Sequence, residues 1–400
     1  MIHPAERTQK VEYAIRDILK KAEQAKAAGK QLLYLNIGDP MVFDYKTPPH
    51  MIEACYKALL DNHTGYANSS GVQEARDAIG NAARRKGIKS WLDLFVTSGA
   101  SEGIELCLTA LLNPGDEILT PSPGYPLYTA VLGKLQAQNV PYYLDEENNW
   151  EPDIADMKKK ISPRTRALVL INPNNPTGSR YSREVLEEIV NLSLKHNLMI
   201  FSDEIYDKLV LDGEDSISIA SLSDEAPIVT FNGLAKSYLV PGFRIGWAIV
   251  TGKQAMMSEY IEAVNKCLRA RLCAVTPLQY AVKPALEGPQ DHLAEVKAKL
   301  RRRRDITHRR LNAIPGISCV KPTAAFYAFP RLHIEQPDEE FVGDLIQETG
   351  VVVVHGGGFG QRPGTRHMRI VFLPQEEILE EAFDRLEKFM TQHGRKHARA

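Results

Sequence analysis

The stretch that most constrains the fold is Ala167-Leu-Val-Leu-Ile171, an apolar run with no polar residue inside it. A strand buried on one face alternates, whereas an unbroken run suits a parallel strand covered on both faces. A loop follows at 172–178, then a helical segment from Arg183, then a second apolar run, Met199-Ile-Phe-Ser202. The runs at 94–97, 117–120 and 228–231 repeat the unit. Strands alternating with helices from about residue 65 to 286 imply an α/β fold with a mostly parallel sheet covered on both faces. A smaller α/β lobe is expected from 324–329, 351–354 and 367–372, together with an N-terminal strand at 31–37. The expected division is 1–44 (a helix and a segment joining the small lobe), 45–290 (large domain) and 291–400 (small domain).

Charge excludes some functions. Forty-nine basic and fifty acidic residues leave a net charge of -1, so nothing argues for nucleic acid or an anionic membrane surface. The five cysteines and eleven histidines are scattered, without metal-ligand spacing, and reduced thiols are expected rather than disulfides or a zinc site. No apolar stretch is long enough for a membrane span. The charged N-terminus, with Glu6, Arg7 and Lys10, is unlike a signal peptide. A cytoplasmic protein is expected.

The chemistry gathers where strands end, as it does in α/β sheets. The run at 228–231 breaks at Asn232-Gly233 and delivers Lys236 into a turn; Arg244 follows, between Gly242 and Gly246. Cations in an apolar setting suggest an anionic ligand. The run at 199–202 ends in Asp203, with Tyr206 just beyond. A lysine, an aspartate and an arginine at neighbouring strand ends match the needs of pyridoxal 5′-phosphate. The amine forms a Schiff base, the carboxylate keeps the pyridine nitrogen protonated, and the guanidinium pairs with the phosphate. Ser98-Gly-Ala-Ser-Glu102 opens a helix and presents free N–H groups and a positive dipole end, a seat for phosphate; Ser101 could equally cap the helix. Arg369 lies inside the apolar strand 367–372, where it needs an anion, and its planar fork suits a carboxylate.

Together these motifs resemble the class I aminotransferases of the fold-type I pyridoxal phosphate enzymes, and among them the alanine (glutamate–pyruvate) branch. The resemblance runs from about residue 11 to 389. It implies a homodimer with shared active sites and a seven-stranded large-domain sheet. It implies that Lys236 is the catalytic lysine, and that Gly99, Ala100 and Ser101 hold the cofactor phosphate with Arg244. Tyr66 would reach the partner subunit's cofactor phosphate. Tyr125, between prolines, would stack on the pyridine ring. Asn175, in Asn172-Pro-Asn-Asn-Pro-Thr-Gly178, would meet the ring oxygen and the substrate carboxylate, and Tyr206 the same ring oxygen. Gly38 would offer backbone contacts to substrate, and Arg369 would bind its α-carboxylate. One departure stands out: family members commonly carry serine where this chain has Gly233 or Ala235, and Ser237 is the expected substitute.

Other features leave choices open. Arg269 and Arg271 are either solvated or, for Arg271, able to reach a distal substrate carboxylate. Arg301-Arg-Arg-Arg304 reads as a solvated helix face. Residues 11–28 read as an amphipathic helix with Ile15, Ile18, Leu19 and Ala22 on one stripe. The glycine-rich turn 356–358 lacks a following helix and carries no dinucleotide signature. The implied reaction is ping-pong transamination between L-alanine and 2-oxoglutarate. An aspartate, aromatic or branched-chain aminotransferase, or a carbon–sulfur lyase, would keep the same site residues.

Overall fold

The computed structural model describes residues 1–11 and 14–397. Its first strand is β1 (Leu33–Tyr34), and the strands of the large sheet follow: β2 (Asp93–Thr97), β3 (Glu117–Ser122), β4 (Gln138–Asp145), β5 (Glu151–Pro152), β6 (Thr165–Ile171), β7 (Met199–Asp203), β8 (Ile228–Gly233) and β9 (Gly246–Thr251). The sheet has eight strands in the order β2-β9-β8-β7-β6-β3-β4-β5. Neighbours from β8 to β4 run parallel, while β9 runs antiparallel to both β8 and β2. The unbroken run in β6 has the expected cause. Leu168 and Leu170 belong to one apolar core, and Ala167, Val169 and Ile171 to a second on the opposite face.

The seven strands expected become eight because β4 folds back on itself. Asn149 and Trp150, at φ 53° and 63°, reverse the chain, and β5 pairs antiparallel with the end of β4 (Leu144 with Pro152, Asp145 with Glu151). Left-handed backbone at an asparagine is a cheap way to make such a corner.

The remaining strands are β10 (Ile317–Ser318), β11 (Tyr327–Ala328), β12 (Arg331–Leu332), β13 (Val351–Val352), β14 (Val354–His355) and β15 (Met368–Val371). They form the sheet β11-β15-β14, the pair β10-β12 and the pair β1-β13. The N-terminal strand therefore joins chain from the far end, Leu33 opposite Val351 and Tyr34 opposite Val352. Helix Ala14–Ala27 buries Ile18, Ala22 and Ala25, but Leu19 is 43% exposed and stands at the rim of the main cavity, off the expected stripe. The side chain of Ile15 lies outside the described residues.

The arginine run departs further from expectation. Arg303 and Arg304, on helix Asp291–Ala313, are each only 2% exposed. Arg303 donates to Leu373 O and the hydroxyl of Tyr45 and pairs with Asp44 at 2.8 Å. Arg304 pairs with Asp212 and donates to Pro322 O at 3.2 Å. Buried cations with such partners fasten the helix to segments distant in sequence, so only Arg301 and Arg302 remain as the solvated pair. All five cysteines are free thiols. No helix among the described residues is long and apolar enough to cross a membrane, and none of their His, Cys, Asp and Glu side chains form a group of three placed to hold a metal.

Candidate active site

The parallel sheet sends the C-terminal ends of β2, β3, β6, β7 and β8 to one edge. The antiparallel β9 begins at that edge, with Gly246 opposite both Thr97 and Gly233. Arg244, just before β9, therefore arrives beside the residues that leave β2 and β8. A cavity of about 500 Å³ opens there, lined by groups from every one of these ends. Gly38, Gly99, Ala100, Ser101, Tyr125, Asn175, Asp203, Tyr206, Lys236, Arg244 and Arg369 all face it.

One wall is an anion seat. Helix Ala100–Leu111 begins at Gly99, so its free N–H groups point into the cavity. Arg244 donates to the hydroxyl of Ser101 at 3.0 Å and to Ser98 O at 3.3 Å. Ser101 thus lies inside the helix and takes a hydrogen bond from the arginine; it is not the cap. Gly99 has φ 82°, and a Cβ there would stand 2.3 Å from Arg244 Nη2. Both the backbone conformation and the close approach require glycine.

Lys236 donates from Nζ to Gly38 O at 2.8 Å. Burial pulls its ammonium down to about 8; Arg369 and Arg244 push the same way, and Asp39 and Asp203 resist. Asp203 is 4% exposed, and burial pushes its carboxyl up to about 7, although it accepts from Ile205 N. A buried carboxyl held this way is short of a cation. A protonated ring nitrogen would supply one.

Arg369 is 2% exposed. It donates to Asn36 O at 2.7 Å and to Asn175 Oδ1 at 3.3 Å, and its guanidinium lies over the rings of Phe359 (4.7 Å) and Tyr327 (4.9 Å). It is oriented before any substrate arrives. The donor set fits a planar, phosphate-bearing aldehyde together with an α-carboxylate: helix N–H groups and Arg244 for the phosphate, Asp203 for a ring nitrogen, Lys236 for the aldehyde, Tyr206 and Asn175 for a ring oxygen, and Arg369 for the carboxylate.

Not every expected residue is brought here. Ser237 is 1% exposed and is not part of the cavity lining; its carbonyl faces His292 Nε2 instead. Its hydroxyl is buried and has no hydrogen-bond partner among the described residues. A serine at 233 would find no room either, since a Cβ there would be 2.8 Å from Ile245 O. Ala235 does line the cavity but offers only a methyl. Tyr66 is 85% exposed and lies off the cavity lining. Arg269 is exposed and pairs with Glu262. Arg271 donates to Ser69 O and Val96 O and stands 3.5 Å from Glu102, which fastens the 63–71 loop to β2. Two residues of the cavity carry no signal of their own in the motifs above. Asp39 lies on the cavity wall near Lys236, and Tyr327 sits between Tyr206 and Arg369. A tyrosine inside an apolar strand needs a hydroxyl partner, and that need could have pointed to Tyr327.

Known proteins resemble this chain over nearly its whole length. The profile described as aminotransferase class I and II matches residues 30–386. An alanine aminotransferase from Mycobacterium tuberculosis (strain ATCC 25618 / H37Rv) is 41% identical over 397 residues, spanning 96% of this chain and 92% of its own. The glutamate-pyruvate aminotransferase AlaA of Escherichia coli (strain K12) is 38% identical over 400 residues, spanning 97% and 98%. Among solved structures, an alanine aminotransferase from Pyrococcus furiosus superposes with a TM-score of 0.95 at 44% identity, covering 98% of this chain and 100% of its own.

Proposed function

The chain belongs to the aminotransferase class I and II family and is a transaminase; from that premise we propose that its cofactor is pyridoxal 5′-phosphate and its substrate pair L-alanine and 2-oxoglutarate, with pyruvate and L-glutamate as products. The cofactor reading is carried by the convergence of Lys236, Asp203 and the Arg244–helix seat on one cavity. The substrate reading is carried by near full-length kinship with proteins named for alanine or for glutamate and pyruvate.

Bound there, the cofactor supplies an aldehyde that condenses with amines and a ring that takes up the electron pair left when Cα loses its proton. The protein's residues do the rest. With its ammonium drawn down to about 8, the amine of Lys236 carries a substantial neutral fraction near physiological pH, as a nucleophile and a general base both need. Lys236 would hold the aldehyde and, once freed by substrate, would be placed as the base for the Cα proton. Asp203 would keep the ring nitrogen protonated. Asn175 and Tyr206 would donate to the ring oxygen, and Tyr125 would cover the ring face. Gly99, Ala100, Ser101 and Arg244 would anchor the phosphate. Arg369, Asn175 and the backbone at Gly38 would grip the substrate carboxylate and so orient the Cα proton for Lys236.

We also propose a homodimer in the cytoplasm. Helix Pro49–Leu60 exposes Ile52, Tyr56, Leu59 and Leu60, an apolar face that a monomer seldom leaves in water. A second copy would cover it and receive Tyr66 at its phosphate seat. The five free thiols suit a reducing compartment.

The test is a half-reaction. Holoprotein mixed with single amino acids should lose its visible band with alanine or glutamate and regain it with pyruvate or 2-oxoglutarate. Loss with aspartate or an aromatic amino acid but not alanine would replace the substrate. Ammonia release without the amino form of the cofactor would replace transamination with elimination.

A further inference from the structure

We infer that Tyr327 is a positioning residue that ties the carboxylate-binding arginine to the tyrosine at the cofactor's ring oxygen. This rests on the cofactor reading above. Tyr327 lies on β11, opposite Val371 of β15, so Arg369, two residues back on β15, is its diagonal neighbour on the same face. Diagonal pairs in a sheet are within reach of an aromatic ring, and the guanidinium of Arg369 lies 4.9 Å from the ring centroid. The other end of the same side chain meets Tyr206: the two hydroxyls are 2.8 Å apart, and the rings stand edge-on at 88°.

The backbone holds Tyr327 in this bridging place at a cost. Ala325 has φ +56°, a left-handed conformation that alanine adopts only under constraint. Its N–H donates to Leu209 O at 2.9 Å, and Leu209 N–H donates to Tyr206 O at 2.8 Å. The N–H of Ala324 donates to Gly178 O at 2.8 Å, at the end of the loop that carries Asn175. The turn into β11 is thereby fixed to both segments that reach the ring oxygen. Strain retained where three site segments meet favours a role in aiming a side chain over mere filling of space.

The consequence follows from hydrogen-bond cooperativity. When Tyr206 donates to the ring oxygen, its own oxygen is left to accept, and Tyr327 is the donor beside it. A hydroxyl that accepts a hydrogen bond donates a stronger one. Tyr327 therefore strengthens the bond that favours the deprotonated ring oxygen. Removing its hydroxyl weakens that bond while leaving the ring over Arg369.

The experiment is a pH titration of the visible band of the holoprotein for wild type, Tyr327→Phe, Tyr206→Phe and the double variant. Tyr327→Phe should raise the midpoint by about half to one pH unit and leave the KM for the amino acid close to wild type. Tyr206→Phe should raise it further, and the double variant should titrate like Tyr206→Phe alone, because the second hydroxyl acts only through the first. A wild-type midpoint in Tyr327→Phe, or additive shifts in the double variant, overturns the inference. Should Tyr327→Phe not fold, a ring-fluorinated tyrosine at 327 serves instead: its hydroxyl is the stronger donor, and it must move the midpoint the opposite way, downward. A wild-type protein with no visible band after addition of pyridoxal phosphate would remove the cofactor reading itself, an outcome distinct from an unshifted variant.

Discussion

Arg244 and Arg369 face the same cavity and are held in opposite ways. Arg369 sits inside a strand, 2% exposed, between two aromatic rings and two oxygen acceptors. Arg244 sits in a loop at φ 53°, exposed, bonded to the carbonyls of Ser98 and Pro241 and the hydroxyl of Ser101. The difference matches the proposed lifetimes of their ligands. A substrate that comes and goes needs a clamp finished in advance, since each turnover would otherwise repeat the cost of ordering it. A resident cofactor can complete its own seat once, and the helix N-terminus supplies a large share of that binding.

The largest expected effect concerns Asp203, which lines the same cavity as both arginines. Asp203 has a folded-state pKa of about 7 against 3.8 for the free side chain. A raised carboxyl means the folded state binds the proton more tightly, so stability from this group is full below about pH 4 and is lost as pH rises through 7. Without cofactor, Asp203→Asn should therefore be more stable than wild type at pH 8 by up to about 4 kcal/mol, with the gap closing near pH 4. Chemical denaturation of the apoprotein across pH measures it, and a gap that does not vary with pH would refute it. With cofactor the order should reverse, because the ring nitrogen gives the carboxylate its cation.

Next in size is Arg369→Lys. The bidentate fork and the aromatic stacking are both lost, and kcat/KM should fall roughly 100-fold or more for every amino acid while cofactor affinity stays near wild type. Arg244→Lys should do the converse: cofactor affinity falls about tenfold, and activity returns with excess pyridoxal phosphate. If each variant damaged both properties equally, the two arginines would not divide the work as described. The smallest effect is expected at Ser237→Ala, whose side chain lies off the cavity; equilibrium titration with pyridoxal phosphate should give an affinity within about twofold of wild type.

What could be read in the sequence divides along the same line. The large sheet and its edge were legible because each strand is a local apolar run and each site residue follows its end: Ser101 after β2, Asn175 after β6, Asp203 on β7, Lys236 after β8. Arg369 was legible because a cation inside an apolar strand calls for an anion; in the fold it donates to Asn36 O and Asn175 Oδ1. What was not legible depends on pairing between distant segments. Tyr327 acquires its place from the β11–β15 register and from Leu209 and Gly178. Arg303 and Arg304 are buried because Asp44 and Asp212 come to meet them, which no helical periodicity shows. Ser237 is absent from the cavity lining that Ala235 and Lys236 share, a distinction that composition and spacing do not carry. The eighth strand depended on two residues in left-handed conformation.

The most direct test of the site is to fix the cofactor in place with borohydride, digest the protein and map the pyridoxyl group by mass spectrometry. A single modified peptide bearing the group on Lys236, absent when alanine is added before reduction, is the predicted result. A pyridoxyl group on another lysine, or none on a protein that shows the visible band, would contradict the placement of the chemistry at the end of β8.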